Sequence, residues 1–173
     1  MKNDYISQIH EKDKLVLHPY EDLKSRGTYK RKLIVKSDNI YLYDEEGKKY
    51  IDGPGGMWCN NLGHGNKEIA EAIKKQIEKM DYCSPFSEST EVAAELASVL
   101  SDLSPGDLNT VFFTSDGSTA NDSALRFVMY YNNILGRKEK KHIITRDRAY
   151  HGSTYLTGSI TGKDREKNNF DFE

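Results

Sequence analysis

The sequence predicts an α/β protein, the first part of a larger α/β domain preceded by a small β-containing element. Three observations carry that expectation. Thr110-Val111-Phe112-Phe113 and His142-Ile143-Ile144-Thr145 are short apolar runs of buried-strand type. A helix-period segment lies between them, and a glycine-containing turn, Thr114-Ser115-Asp116-Gly117-Ser118, joins the first run to that helix. Strand, tight loop, helix, strand is how a parallel α/β sheet begins. Two such strands do not make a sheet covered on both faces, so further strands are expected from elsewhere.

The elements follow in order. Residues 1 to about 28 are polar apart from Leu15-Val16-Leu17 and read as a helical or irregular arm. From Lys32 the pattern becomes β-branched and aromatic: Leu33-Ile34-Val35 and Ile40-Tyr41-Leu42-Tyr43 flank the turn residues Ser37-Asp38-Asn39. Asp44-Glu45-Glu46-Gly47 is a second turn, and Lys48 to Asp52 can return antiparallel, giving a small meander. Gly53-Pro54-Gly55-Gly56 and Gly63-His64-Gly65 interrupt regular structure. Asn66 can cap a helix carrying Ile69, Ile73, Ile77 and Met80 on one face. A second helix presents Val92, Leu96, Val99, Leu100 and Leu103, and stops at Ser104-Pro105-Gly106. A third is expected to bury Ala120, Ala124, Phe127, Val128, Tyr131 and Leu135, with Gly136 at its C′ position. From Thr161 the chain turns polar. The domain expectation is therefore an arm and meander over residues 1–65 and an incomplete large α/β domain over 66–173.

Composition bounds the function. The 173 residues hold 25 Lys+Arg and 27 Asp+Glu, for a formal net charge of −2. With no basic block, there is no electrostatic case for nucleic acid or an anionic membrane surface. Hydrophobic residues make up 36%, which is lean for a self-contained globule and is expected where part of the core comes from other sequence or a partner. No apolar run approaches the ~20 residues that span a bilayer, and residues 1–5 lack the apolar stretch of a signal peptide. Cys59 and Cys83 match no metal or redox spacing and are expected to be reduced thiols. These features point to a soluble cytoplasmic protein without a bound metal.

Chemistry is concentrated in three places. At Thr114–Asn121 a strand is expected to end in a tight turn and a helix start, where unpaired N–H groups and the helix dipole can hold a phosphate. Ser118 and Thr119 can add hydroxyls, and the plain alternative is that Ser118 only caps the helix. Neither G-x-G-x-x-G nor a Gly-Lys-Ser/Thr loop is present. In Ala149-Tyr150-His151-Gly152-Ser153-Thr154 an aromatic follows the second expected strand and is placed to stack on a planar ligand. Its plain alternatives are a packing tyrosine and a turn histidine. In Gly55-Gly56-Met57-Trp58-Cys59 the only tryptophan stands beside glycines, either as core packing or as one wall of a substrate pocket.

Taken together these segments resemble a known family. Tyr50-Ile51-Asp52-Gly53, Gly56-Met57-Trp58-Cys59, Gly63-His64-Gly65, Tyr82-Cys83-Ser84-Pro85-Phe86, Phe112 to Ala120, Asp122 to Arg126 and Ala149 to Ser153 occur in this order. In that order and at those separations they are similar to the class III pyridoxal-phosphate-dependent aminotransferases of fold type I, in the omega-amino-acid:pyruvate branch. The resemblance covers about two thirds of this chain and less than half of a whole family member.

It implies an N-terminal part of that fold and transfer of an amino group from a small amine or omega-amino acid to a keto acid such as pyruvate. The implied cofactor is pyridoxal 5′-phosphate, and the whole enzyme is implied to be a homodimer. Gly117 and Ser118 would bind the cofactor phosphate. Tyr150 would stack on the pyridine ring, with His151 and Gly152 shaping that wall, and Trp58 would line the smaller substrate subpocket. The family's Schiff-base lysine, its acidic partner of the pyridine nitrogen and its substrate-carboxylate arginine lie in sequence beyond these residues. Lys141 and Lys163 do not stand in that lysine's motif, so the isolated chain is expected to be inactive, with no catalytic residue of its own. Asp116 departs from the family's small neutral residue, and its carboxylate is expected to point away from the phosphate or to weaken the site. The competing readings are a non-catalytic binding or dimerising derivative and an unrelated nucleotide-binding α/β domain.

Overall fold

A computed structural model describes residues 2–168 and 170–172. The chain divides into two compact units, up to Glu88 and from Ser89.

The first unit opens with helix α1 (Lys2–Asp13) and an irregular arm. The meander expected from residue 32 onward is present as β1 (Ile34–Asp38), β2 (Tyr41–Asp44) and β3 (Lys49–Ile51), paired antiparallel in that order. Asn39 turns the first hairpin with φ 50°, a conformation that asparagine tolerates better than most residues. Asp44 organises the second hairpin: Oδ1 accepts the Glu46 and Lys48 N–H groups at 3.0 and 2.9 Å, and Oδ2 accepts the Tyr50 hydroxyl at 2.8 Å. Burial acts to raise the Asp44 pKa, but these hydrogen bonds hold it below the ordinary carboxylate value.

Segment α2 (Gly55–Trp58) is a tight turn in which all four residues have positive φ. Helix α3 (Lys67–Lys79) follows, with the Asn66 side chain accepting the Ile69 N–H at 3.1 Å as its N-cap.

The second unit holds α4 (Glu91–Leu103), α5 (Gly117–Ile134), the short α6 (Tyr155–Ile160) and a 3₁₀ turn at Asp164–Glu166. Gly136 takes φ 72° just past α5, as its C′ placement requires. Two expectations are corrected here. Thr110–Phe113 and His142–Thr145 form neither strand nor helix. A strand exists only as one side of a hydrogen-bonded ladder, and the only sheet among the described residues is the three-stranded one of the first unit. The face of α5 expected to be buried is open: Phe127, Val128 and Tyr131 are each more than half exposed, and Leu135 is also exposed.

Among the described residues no apolar side chain is fully buried. The buried polar residues are Asp44, Asn132, Thr157 and Thr161. No helix among those residues is long and apolar enough to cross a membrane.

Candidate functional site

The start of α5 is built by a capping box. Asp116, extended at φ −164° and ψ 174°, is the N-cap. Its Oδ1 accepts the Thr119 N–H at 2.9 Å, and Thr119 Oγ1 accepts the Asp116 N–H at 3.3 Å. The cap is therefore Asp116, and Ser118 has another task. The Asp116 carboxylate does not point away from the helix start but sits on it. The Thr119 N–H, first among its partners, holds its pKa below the ordinary value against a smaller opposing effect of burial. Of the four N–H groups a helix start leaves without intrahelical partners, the box takes those of Asp116 and Thr119. Those of Gly117 and Ser118 remain at the helix mouth, the latter also drawn toward the Asp116 carboxylate.

Against this mouth lies the loop from Tyr150 to Ser153. The Ser153 N–H donates to Ser118 Oγ at 3.1 Å, and Tyr150 Oη and Ser153 Oγ share a hydrogen bond of 2.6 Å. Asn121 Nδ2, one turn further along α5, donates to the His151 carbonyl at 2.7 Å. The close approach depends on Gly152, whose φ is +144°. A Cβ there would lie 2.8 Å from both Ser118 Oγ and Thr157 Cβ, which real Cβ atoms do not do. Beneath the loop Thr161 Oγ1 accepts the His151 N–H at 3.1 Å and donates to the Thr157 carbonyl at 3.0 Å. His151 Nε2 is 2.7 Å from Thr145 Oγ1. The Tyr150 ring is 51% exposed, with Lys163 Nζ 5.3 Å from its centroid.

Gly117, Ser118, Tyr150, His151 and Gly152 are thus brought together in the second unit. Trp58 belongs to the first unit, where it is 76% exposed at φ 69° on the α2 turn. That turn is braced by Asp52, whose Oδ2 accepts the Gly56 N–H at 3.0 Å and pairs with His64 Nε2 at 2.9 Å. The His64 bond, followed by the Gly56 amide, depresses the Asp52 pKa. Sequence reasoning passed over Asp52, His64, Asn121, Thr157 and Thr161 as supporting residues. Only the small residues of Thr157-Gly158-Ser159-Ile160-Thr161-Gly162 hinted at a tightly packed floor.

The residues present fit a phosphate and a flat ring. The helix mouth offers the Gly117 and Ser118 amides and the Ser118 hydroxyl, whose oxygen already accepts a bond and whose hydrogen can be donated. The Gly152 cradle brings the Tyr150 loop against that mouth. Among the described residues the buried Asp122 Oδ1 has no hydrogen-bond partner.

Comparison with known proteins decides the family. The profile described as Aminotransferase class-III matches residues 24–172. The chain belongs to the class III aminotransferases. This family depends on pyridoxal phosphate.

The chain is 38% identical to an aminotransferase of Sinorhizobium fredii named y4uB, itself uncharacterized, over 91% of this chain and 35% of that protein. It is 36% identical to the putrescine–pyruvate aminotransferase of Pseudomonas aeruginosa, over 84% of this chain and 32% of that one. The omega transaminase of Pseudomonas jessenii, solved in complex with PMP, superposes with a TM-score of 0.91 at 35% identity, covering 95% of this chain and 37% of that one. The chain thus spans about a third of the length of the relatives it matches. Its fold is the N-terminal part of the fold type I transaminases, so the fold class expected from sequence stands, although the two expected strands are unpaired.

Proposed function

We propose that this chain supplies the phosphate cup and ring wall for pyridoxal 5′-phosphate in a transaminase. That enzyme moves an amino group from a small amine or omega-amino acid to a keto acid such as pyruvate. The observation that carries the reading is the junction at the start of α5, where Ser118 Oγ takes the Ser153 N–H across a contact that only Gly152 permits. Family membership and the likeness to a putrescine–pyruvate aminotransferase and to omega transaminases support the reaction class.

On this reading the Gly117 and Ser118 amides and the Ser118 hydroxyl hold the phosphate. Tyr150 supports one face of the ring, its hydroxyl tied to Ser153 so that the ring plane is held. His151 is fixed at its N–H, its carbonyl and its Nε2, which suits it to shaping the wall. Trp58 lines the smaller substrate subpocket. Bound here, the cofactor supplies the electron sink for amino-group transfer, while these residues bind and orient it. The lysine that anchors the cofactor is not assigned among the 173 residues: Lys141 Nζ bonds Asn133, and Lys163 lies over the Tyr150 ring. For the whole protein we propose a cytoplasmic homodimer with small-molecule substrates, using neither nucleic acid nor membrane.

Cofactor retention by the whole protein tests the assignment. Ser118→Ala should weaken it by the ~1.5–3 kcal/mol of a hydrogen bond to a charged acceptor, Tyr150→Ala through lost stacking, and Gly152→Ala by forcing the loop off α5. Unchanged retention in all three variants sinks the site assignment. Treating the 173-residue chain with pyridoxal phosphate and borohydride should label no single lysine. Stoichiometric labelling of Lys141 or Lys163 together with turnover would show that the anchoring lysine is present after all.

A further inference from the structure

We propose that the Asp116 carboxylate is a tethered anion that competes with the cofactor phosphate for the start of α5, and so sets phosphate affinity at this site. The inference rests on the phosphate reading given above and deepens it. Asp116 Oδ1 takes the Thr119 N–H at 2.9 Å, and Oδ2 accepts the Ser115 hydroxyl at 3.1 Å. Both partners are neutral donors, and the carboxylate sits at the positive end of the helix. That same helix end is what a phosphate at Gly117 and Ser118 would use.

The Asp116 backbone is held at both its N–H and its carbonyl by the Thr119 side chain. Thr119 Oγ1 accepts the Asp116 N–H and donates back to the Asp116 carbonyl at 3.0 Å. Asp116 therefore cannot swing clear without breaking the capping box. A dianion arriving at the next two amides meets a like charge at the cap and competes with it for the Ser118 amide. A neutral cap would keep the Thr119 bond and remove the charge, because asparagine and serine cap a helix about as well as aspartate. The structure thus separates two roles in one residue: its geometry shapes the helix mouth, and its charge lowers the affinity of that mouth for anions.

The test uses the whole protein, freed of cofactor, and pyridoxine 5′-phosphate, which has the ring and phosphate but no aldehyde to react with lysines. Pyridoxine serves as the control without phosphate. Equilibrium dialysis gives affinity, and amide hydrogen exchange of the peptide spanning residues 115–122 reports where the ligand sits. Asp116→Asn and Asp116→Ser should each bind pyridoxine 5′-phosphate roughly three- to tenfold more tightly than the wild type at low ionic strength. That gain should shrink as salt is added, and pyridoxine binding should not change. If the ligand protects residues 115–122 in all three proteins but affinity is equal or lower in the variants, the role given to Asp116 is wrong and the site stands. If the ligand protects that peptide in none of them, the phosphate reading is wrong and this inference falls with it.

Discussion

Glu45 shows how one side chain ties the N-terminal arm to the meander. Its Oε1 lies 3.1 Å from His10 Nε2 on α1 and 3.2 Å from Lys30 Nζ, and its Oε2 accepts the Leu33 N–H at 2.9 Å. Burial acts to raise its pKa. Hydrogen bonds from the surrounding backbone, Lys30 and His10 outweigh that effect and hold it at about 2 rather than 4.5. Because the folded value is the lower one, the stabilisation is complete above about pH 4.5 and is lost as the pH falls toward 2. Acidification through that window should release α1 and residues 30–33, read as faster amide exchange at Leu33. Glu45→Gln should show fast exchange at Leu33 already at neutral pH and little further change on acidification. A variant that kept the wild-type pH profile would show that the clasp is held by something else.

At the scale of elements, two helices of equal length differ in how they begin. Helix α3 starts on Asn66, whose side chain accepts the Ile69 N–H, whereas the Thr90 side chain at the start of α4 makes no capping bond. Asn66→Ala should therefore cost about 1 kcal/mol of helix stability. Thr90→Ala should cost little, since no hydrogen bond is lost. Amide exchange in the first turns of α3 and α4, compared between the two variants, checks the contrast. Equal losses would mean that cap propensity alone, without the bond, governs these helices. The start of α5 follows the same logic, with Asp116 and Thr119 closing a reciprocal box around the candidate phosphate site.

At the scale of the whole molecule, the decisive fact is where apolar surface goes. Val92, Leu96 and Val99 of α4 and Phe127, Val128 and Tyr131 of α5 all remain exposed, and among the described residues the fully buried side chains are threonines. Apolar surface of this kind drives association. The 173-residue chain by itself should be poorly soluble or oligomeric in sedimentation experiments. A sharp monomer with cooperative unfolding would show that these faces are not adhesive. The comparisons agree with this distribution in one respect: the chain covers about a third of its relatives' length.

Local rules account for what the sequence by itself determined. The ends of α3, α4 and α5 follow from apolar spacing, Asn66, Ser104-Pro105-Gly106 and Gly136, all signals that act within a turn or two. The meander followed from β-branched runs punctuated by Asp and Gly, and the ordered motifs were enough to point to the family before any geometry was known. Tertiary structure decided the rest. Thr110–Phe113 and His142–Thr145 have strand composition, but composition does not supply a pairing partner. Asp116 became the cap in place of Ser118 because its extended backbone aims the carboxylate at the Thr119 amide, a geometry that residue type alone does not specify. Helix α6 is six residues long, too short for its period to show. The glycine-permitted contact at the start of α5 joins segments more than thirty residues apart in sequence, Ser118 and Ser153. Helix periods, caps and turns are written in neighbouring residues, whereas pairing, burial and the aim of a side chain depend on what the chain meets from far along its length.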